Sequence, residues 1–126
     1  MAQSIRDFER SFTTGSASLA TKQYYIVKQH TDGTVILAAA GTDALIGVVQ
    51  NKPAVGDAAL VRFNGTTKVV AGGTISVGAW VTSDASGKAV PTTTDKYVAL
   101  GRYLGTASAA SGDIIEVLLG IHTLSV

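Results

Sequence analysis

The tetrapeptide Ala54-Val55-Gly56-Asp57 leads directly into the alternating run Ala58–Phe63, and this arrangement recurs along the chain. It returns as Ser76-Val77-Gly78-Ala79 before Trp80-Val81-Thr82, and as Ala110-Ser111-Gly112-Asp113 before Ile114–Ile121. Glycine permits the positive φ of a tight turn, and the apolar and β-branched residues that follow suit a half-buried strand. The pattern predicts a compact all-β domain whose functional groups lie on strands, turns or termini.

Composition narrows the class of protein. The chain has 126 residues and no cysteine, which is enough for one domain with a hydrophobic core and excludes a disulfide framework. Its formal net charge is +1, without the basic face typical of nucleic-acid binding. No apolar run reaches the length of a membrane span, and we expect no secretory signal. Only 15% of residues are charged, against about 25% in an average domain, so we expect other subunits or a lattice to cover much of the surface.

The first 20 residues differ from the rest and are predicted to form an arm, with a β domain over residues 21–126. Ile5, Phe8 and Phe12 have the i, i+3, i+7 spacing of one helical face, although two turns of helix are unstable alone in water. The segment Thr13–Ser18 is predicted to be a flexible hinge. Two alternatives stay open: the arm docks on a partner, or Phe8 and Phe12 fold back onto their own subunit.

From Tyr24 onward, short alternating runs follow one another at regular turn spacing. The most regular is Ile114–Ile121, in which alternate residues are apolar and line one face. Such spacing predicts roughly eight short antiparallel strands in a β-sandwich or squat β-barrel, with an N-terminal extended arm.

Asn64-Gly65 is the preferred sequence for a two-residue type I′ turn and predicts a hairpin between Ala58–Phe63 and Thr66–Ala71. The predicted cross-strand neighbours are Leu60 with Val69, Ala59 with Val70, and Val61 with Lys68. Both faces of this hairpin are mostly apolar, so we expect one of them to pack on a neighbouring sheet or subunit. With the arm, this selects six candidate capsid or subunit contacts: Ile5, Phe8, Phe12, Val61, Phe63 and Val70.

The inventory of reactive side chains favours a binding or structural role over an enzyme. His30 and His122 are the only histidines, and without cysteine the chain shows no spacing typical of a metal site or catalytic triad. The sequence Ser86-Gly87-Lys88-Ala89 is similar to a P-loop but lacks its first glycine and its Ser/Thr. We therefore predict no catalytic, cofactor-binding or metal-binding residues and no cofactor.

Long stretches of the chain resemble a known family. They begin with Leu45-Ile46-Gly47-Val48-Val49-Gln50-Asn51-Lys52-Pro53-Ala54-Val55-Gly56-Asp57-Ala58-Ala59, and continue with Gly65-Thr66-Thr67-Lys68-Val69-Val70-Ala71-Gly72-Gly73 and Val81-Thr82-Ser83-Asp84-Ala85-Ser86-Gly87-Lys88-Ala89. In order, the resemblance covers roughly Leu19 to Leu119. These runs are similar to the capsid decoration, or cement, proteins of tailed bacteriophages.

The resemblance implies a small β-rich protein, often trimeric, that binds the major capsid protein on the outside of the assembled head. There it would bridge neighbouring capsomers and stabilise the head against the pressure of packaged DNA. It implies a homotrimer on the virion surface, made in the bacterial host cytoplasm, with no catalytic residues and no direct contact with nucleic acid or membrane.

Two other functions are weighed against this one. A carbohydrate- or receptor-binding module of a phage head fibre or tail would expose coplanar aromatic side chains. A small hydrolase would use His30 or His122, for which no supporting spacing is present.

Overall fold

A computed structural model of the chain describes residues 8–125, in which ten strands form two five-stranded antiparallel sheets. The first half of the chain forms β1 (Glu9–Thr13), β2 (Ile26–Gln29), β3 (Val35–Leu37), β4 (Leu45–Val49) and β5 (Ala58–Arg62). The second half forms β6 (Thr66–Val70), β7 (Trp80–Ser83), β8 (Ala89–Pro91), β9 (Val98–Tyr103) and β10 (Ile114–Thr123). The all-β prediction is confirmed, with ten strands in place of about eight. In the part of the chain that the structure describes, no helix is long and apolar enough to cross a membrane.

The second half repeats the fold of the first. The strand order is β1-β5-β4-β2-β3 in one sheet and β6-β10-β9-β7-β8 in the other, which is the same order displaced by five strands. Three hydrogen bonds from a backbone N–H to a backbone carbonyl recur at corresponding positions. In the first half they run from Thr14 to Asp57, from Gly15 to Val35 and from Tyr24 to Val49. In the second half they run from Ala71 to Asp113, from Gly72 to Ala89 and from Gly78 to Tyr103. Each half is therefore one copy of the same structural unit.

Each sheet curls until its two edges meet. Thr14, directly after β1, forms a parallel bridge with Val35 in β3, and Ala71, directly after β6, forms the same bridge with Ala89 in β8. The first half encloses a small core of buried Leu19, Val27, Val35, Val49, Ala59 and Val61. A larger core fills the second half and extends to the outer face of the first, where it includes Ile26, Leu45 and Val48. The two units consequently share one continuous hydrophobic interface.

The repeated glycine phrases form the predicted turns. In Ala54–Asp57 and Ala110–Asp113 the last N–H donates to the first carbonyl, at 3.0 and 3.1 Å, and the third residue has φ of 83° and 91°. This geometry is that of a type II turn, which needs positive φ at its third position. The Asp side chains also accept hydrogen bonds from Ala54 and Ala110 N–H. These turns open β5 and β10, and the buried and exposed residues predicted for the last strand alternate as expected.

The predicted β5–β6 hairpin is wrong. β5 pairs with β1 and β4, and β6 pairs with β10, so the two strands lie in different sheets. Val61 lies beside Val49 and Arg10, and Val69 lies beside Ile115. A type I′ turn needs positive φ at both central residues, and of these two only Gly65 has it, at 79°. Asn64-Gly65 is the corner at which the chain passes from one half to the other.

The helical expectation for the N-terminal segment is also wrong over the residues described. Residues 9–13 form β1, which occupies the side of β5 that had been predicted for β6. The spacing of Phe8 and Phe12 places them on one side of a strand as readily as on one side of a helix, and pairing with β5 decides between the two. Phe12 packs against the core of its own half. Whether residues 1–20 act as an arm toward a partner stays a prediction.

Gly65→Val is expected to destabilise the protein by about 1–3 kcal/mol, because a β-branched residue resists positive φ. A Cβ at this position would also lie 3.2 Å from Phe8 Cδ1. Gly120→Val is the matched control, since a Cβ on Gly120 in β10 would meet no atom within 4 Å. Urea denaturation measures both variants, and equal midpoints for the two would contradict the assigned corner geometry.

The loop between β3 and β4 contacts the second half, and Asp43 stabilises the conformation of this loop. Val98 N–H donates to Gly41 O at 2.7 Å across the junction. Asp43 Oδ2 accepts hydrogen bonds from Ala39 and Ala40 N–H at 2.8 and 3.0 Å and pairs with Lys28 Nζ at 3.1 Å. Burial raises the pKa of Asp43, but these hydrogen bonds and the lysine charge outweigh it, so the pKa lies below its usual range.

Because folding lowers the pKa of Asp43, its stabilisation is complete above the unfolded value of about 4 and is lost as the pH falls through the folded value. Asp43→Asn should lower the free energy of unfolding by about 1–2 kcal/mol at pH 7, and by less at pH 2–3. Urea denaturation at both pH values measures this, with the exposed Glu116→Gln as control. An equal loss at both pH values would show that the aspartate charge is not involved.

Candidate interaction surfaces

Exposed apolar side chains concentrate in three places. Phe8 precedes β1, Val55 and Val77 lie in glycine turns, and Leu104, Ile114 and Leu118 lie on or beside the outer face of the second sheet. Each is between 46% and 59% exposed. Isolated exposed apolar residues are ordinary, but neighbouring ones indicate a surface that another molecule covers.

The outer face of the second sheet carries a row of four side chains in cross-strand register, which we call the outer row. Its members are Thr66 on β6, Leu118 on β10, Arg102 on β9 and Trp80 on β7. The Arg102 guanidinium carbon lies 4.3 Å from the Trp80 ring centre, and the His122 ring meets the same indole edge-on at 4.8 Å. Two further cross-strand pairs lie beside the row, Lys68 with Glu116 and Val70 with Ile114. The face is therefore amphipathic, with aliphatic and aromatic groups between charges.

A second surface lies beside two neighbouring segments, the start of β1 and the Asn64-Gly65 corner between the halves. Phe8 is 52% exposed, and its carbonyl accepts a hydrogen bond from Phe63 N–H at 2.9 Å. Beside it, Arg62 forms an ion pair with Glu9 at 2.9 Å and donates to Thr66 O at 3.1 Å. Phe8, Glu9 and Arg62 line an open cavity of about 480 Å³ together with the segment 64–66. We call this surface the entry surface, and define it by Phe8, Glu9, Arg62, Phe63 and Gly65.

The six predicted contact residues separate into different environments. Ile5 lies outside the described residues, and Phe8 and Phe63 lie together on the entry surface. Phe12 is half-buried in the core of the first half. Val61 is fully buried in the same core and offers no side-chain surface to a partner. It was selected from the predicted two-sided hairpin, which does not form. Val70 lies beside Ile114, away from the entry surface.

The aromatic side chains do not form a platform for a sugar ring. Within residues 8–125, Phe8 is the only exposed aromatic residue. Four of the other rings each have a cation over one face: Arg10 on Phe12, Lys22 on Tyr25, Lys68 on Tyr24 and Arg102 on Trp80. Rings covered in this way hold basic side chains in place rather than presenting coplanar faces to solvent.

The two histidines lie in unrelated surface positions. His30 Nδ1 is 3.3 Å from Asp32 Oδ1 in the turn between β2 and β3, and both groups are exposed. A hydrogen bond from the Thr34 hydroxyl lowers the pKa of Asp32 below its usual range. His122 lies against Trp80 on the opposite half. Among the described residues, no three potential metal ligands come together.

A second open cavity, missed in the sequence, lies between the end of β9 and the start of β10. It has a volume of about 470 Å³ and is lined by the segment 103–109 and by Ile114 and Glu116. The Tyr103 hydroxyl donates to Ala107 O at 2.7 Å and fixes the intervening loop. Only the small residues of Gly105–Ala109 signal this loop in the sequence.

Comparison with known proteins identifies the family. A family model described as phage cement protein matches residues 11–120. The chain belongs to the phage cement protein family. The match begins in β1 and ends in β10, so it includes both halves of this cement protein. The predicted family is therefore confirmed, and the family is one of structural phage proteins.

One solved structure that the cement protein resembles is that of the head fiber gp8.5 N base in bacteriophage phi29. The TM-score is 0.69 at 22% sequence identity, over 93% of this chain and 98% of that chain. At this identity the similarity shows a shared fold. No curated protein matches the chain.

Proposed function

We propose that this cement protein binds the exterior of the assembled phage head as a homotrimer and bridges neighbouring capsomers of the major capsid protein. In that position it stabilises the head against the pressure of packaged DNA. The observation that carries the proposal is the family match over residues 11–120, which spans both structural units. The low charge of the chain and its uncovered amphipathic sheet face support a protein that works while covered by neighbours.

The entry surface is the proposed capsid contact. Phe8 presents an exposed phenyl ring at the point where residues 1–7, which include Ile5, lead into β1. Phe63 is linked to it through the backbone, and the Glu9–Arg62 pair supplies charge at its margin. Apolar anchors surrounded by polar groups are the usual energetic centre of a protein interface. Ile5, Phe8 and Phe63 are thus the proposed anchors, while Phe12 and Val61 stabilise the unit itself.

Phe8→Ser is expected to weaken binding to heads that lack the protein. Burying one phenylalanine contributes about 2 kcal/mol, which corresponds to about 30-fold in affinity. Deleting residues 1–7 leaves β1 intact and should weaken binding through the loss of Ile5. Val55→Ser, at a similarly exposed site in a turn, is the control. Occupancy is measured by cosedimentation with heads. Undiminished binding of both the Phe8→Ser and the truncated protein would place the capsid contact elsewhere.

The bridging role has a separate test. Heads decorated with the wild-type protein should retain packaged DNA to a higher temperature than undecorated heads, because bridging adds contacts between capsomers that must break before the shell opens. DNA release is followed by dye fluorescence during heating. If fully decorated heads and undecorated heads release DNA at the same temperature, the protein binds the head but does not bridge its capsomers.

A further inference from the structure

The outer row of the second half has an exact counterpart in position on the first half. Cross-strand register places four residues in line on that half: Glu9 on β1, Arg62 on β5, Val48 on β4 and Ile26 on β2. The strands correspond one to one with those that carry Thr66, Leu118, Arg102 and Trp80. A shared hydrogen bond supports the match, since Ala38 N–H donates to Ile26 O and Thr92 N–H donates to Trp80 O. Ile26 thus corresponds to Trp80, and Val48 to Arg102.

The part of this row that lies on β4 and β2 is covered by the second half of the same chain, whereas Glu9 and Arg62 stay partly exposed. Ile26 and Val48 are both 0% exposed and belong to the core of the second half. Two backbone hydrogen bonds fix the contact: Ile26 N–H donates to Gly87 O at 2.7 Å, and Val70 N–H donates to Tyr24 O at 3.0 Å. The covering surface therefore includes the β7–β8 turn and the end of β6, and β4 also contacts β9 and β10.

The outer row occupies the same place on the second half and is uncovered. Leu118 is 46% exposed, Arg102 is exposed, and the neighbouring Ile114 is 59% exposed. Trp80 is half-buried under Arg102 and His122. On the first half, the part of this site on β4 and β2 is covered by the second half of the same chain. On the second half the corresponding site is uncovered, because residues 8–125 contain two units and no third.

We propose that the outer row binds the first half of a second copy of this chain, placed as the second half is placed on the first. The first half carries the required covering surface, because its β2–β3 turn corresponds to the β7–β8 turn and its β1 corresponds to β6. On that surface Thr13 and Gly33 are both exposed, and Gly33 O accepts a long hydrogen bond of 3.5 Å from Gln29 Nε2. The turn brings Asp32 toward a face that carries Arg102, so these two charges are complementary.

The equivalence also specifies the contacts between copies. The hydrogen bond between chains that is equivalent to Ile26 N–H to Gly87 O runs from Trp80 N–H to Gly33 O of the second copy. The one that is equivalent to Val70 N–H to Tyr24 O runs from Thr13 N–H of the second copy to Gly78 O. Such a contact joins two different surfaces, and it forms a closed ring when the rotation between units closes. Three chains contain six units, which requires a rotation of about 60° per unit.

This inference rests on the proposed function in one respect, since it assigns the surface through which the proposed homotrimer forms. Its test uses protein in solution without heads, so its failure would leave capsid binding to be decided by the Phe8 experiment. Analytical ultracentrifugation of the full chain at tens of micromolar is expected to show a trimer. A wild-type protein that remains monomeric would overturn the proposal.

Leu118→Glu and Arg102→Glu place a negative charge in the outer row at exposed positions, where folding should tolerate them. Each is expected to weaken self-association at least tenfold and to give monomers at the same concentration. Val55→Glu, which adds the same charge at a residue that is 56% exposed outside the row, should remain trimeric. Thermal melting confirms that each variant is folded. If Leu118→Glu and Arg102→Glu remain as trimeric as Val55→Glu, the interface lies elsewhere.

Discussion

The packing of Ile26 and Val48 against the second half is the interaction on which the rest of the structure depends. Each sheet curls until its edges meet, at Thr14 with Val35 and at Ala71 with Ala89. Curling encloses a core, but a unit of five short strands encloses little apolar volume. Joining the units through the outer face of β2 and β4 merges that face with the larger core and buries side chains that would otherwise face water.

The two halves have the same architecture but different side chains at matching positions. The side chains on the first half suit packing inside the chain, and those on the second half suit binding to another molecule. Small aliphatic residues at Ile26 and Val48 suit a permanently buried junction. Trp80 and Arg102 can be exposed without a large penalty, because the guanidinium covers the indole face and keeps its charge in water. A cement protein needs surfaces that are soluble before assembly and adhesive after it. The outer row and the entry surface both have this character, on opposite halves of the chain.

Local signals in the sequence predicted local structure well. The glycine phrases at Gly56 and Gly112 gave type II turns, and the alternation in β10 gave one buried and one exposed face, because both depend only on neighbouring residues. The partner of β5 depends on the whole chain. Asn64-Gly65 has the right chemistry for a hairpin, but β1 and β4 already occupy both sides of β5. Phe8 and Phe12 fit a helix or a strand equally well by spacing, so only pairing with β5 settles their conformation.

The repeat was hidden for a related reason. At several matching positions the backbone geometry is shared but the residue is not: Tyr24, at φ 68°, stands where the second half has Gly78, at φ 79°. The turn phrases before β5 and β10 retain the clearest likeness, and each is also explained as an isolated turn. The entry surface was partly predictable from exposed Phe8. The outer row was not, because its four residues come from four strands whose register the sequence leaves open.

A cryo-electron microscopy map of phage heads with and without this protein tests the account most directly. The account predicts additional density on the outside of the shell at junctions between capsomers, arranged as a ring of six similar units from three chains. The entry surface should face the shell, and the outer row should be buried between chains. Density inside the shell, or single chains on the outside with the outer row exposed to solvent, would contradict it.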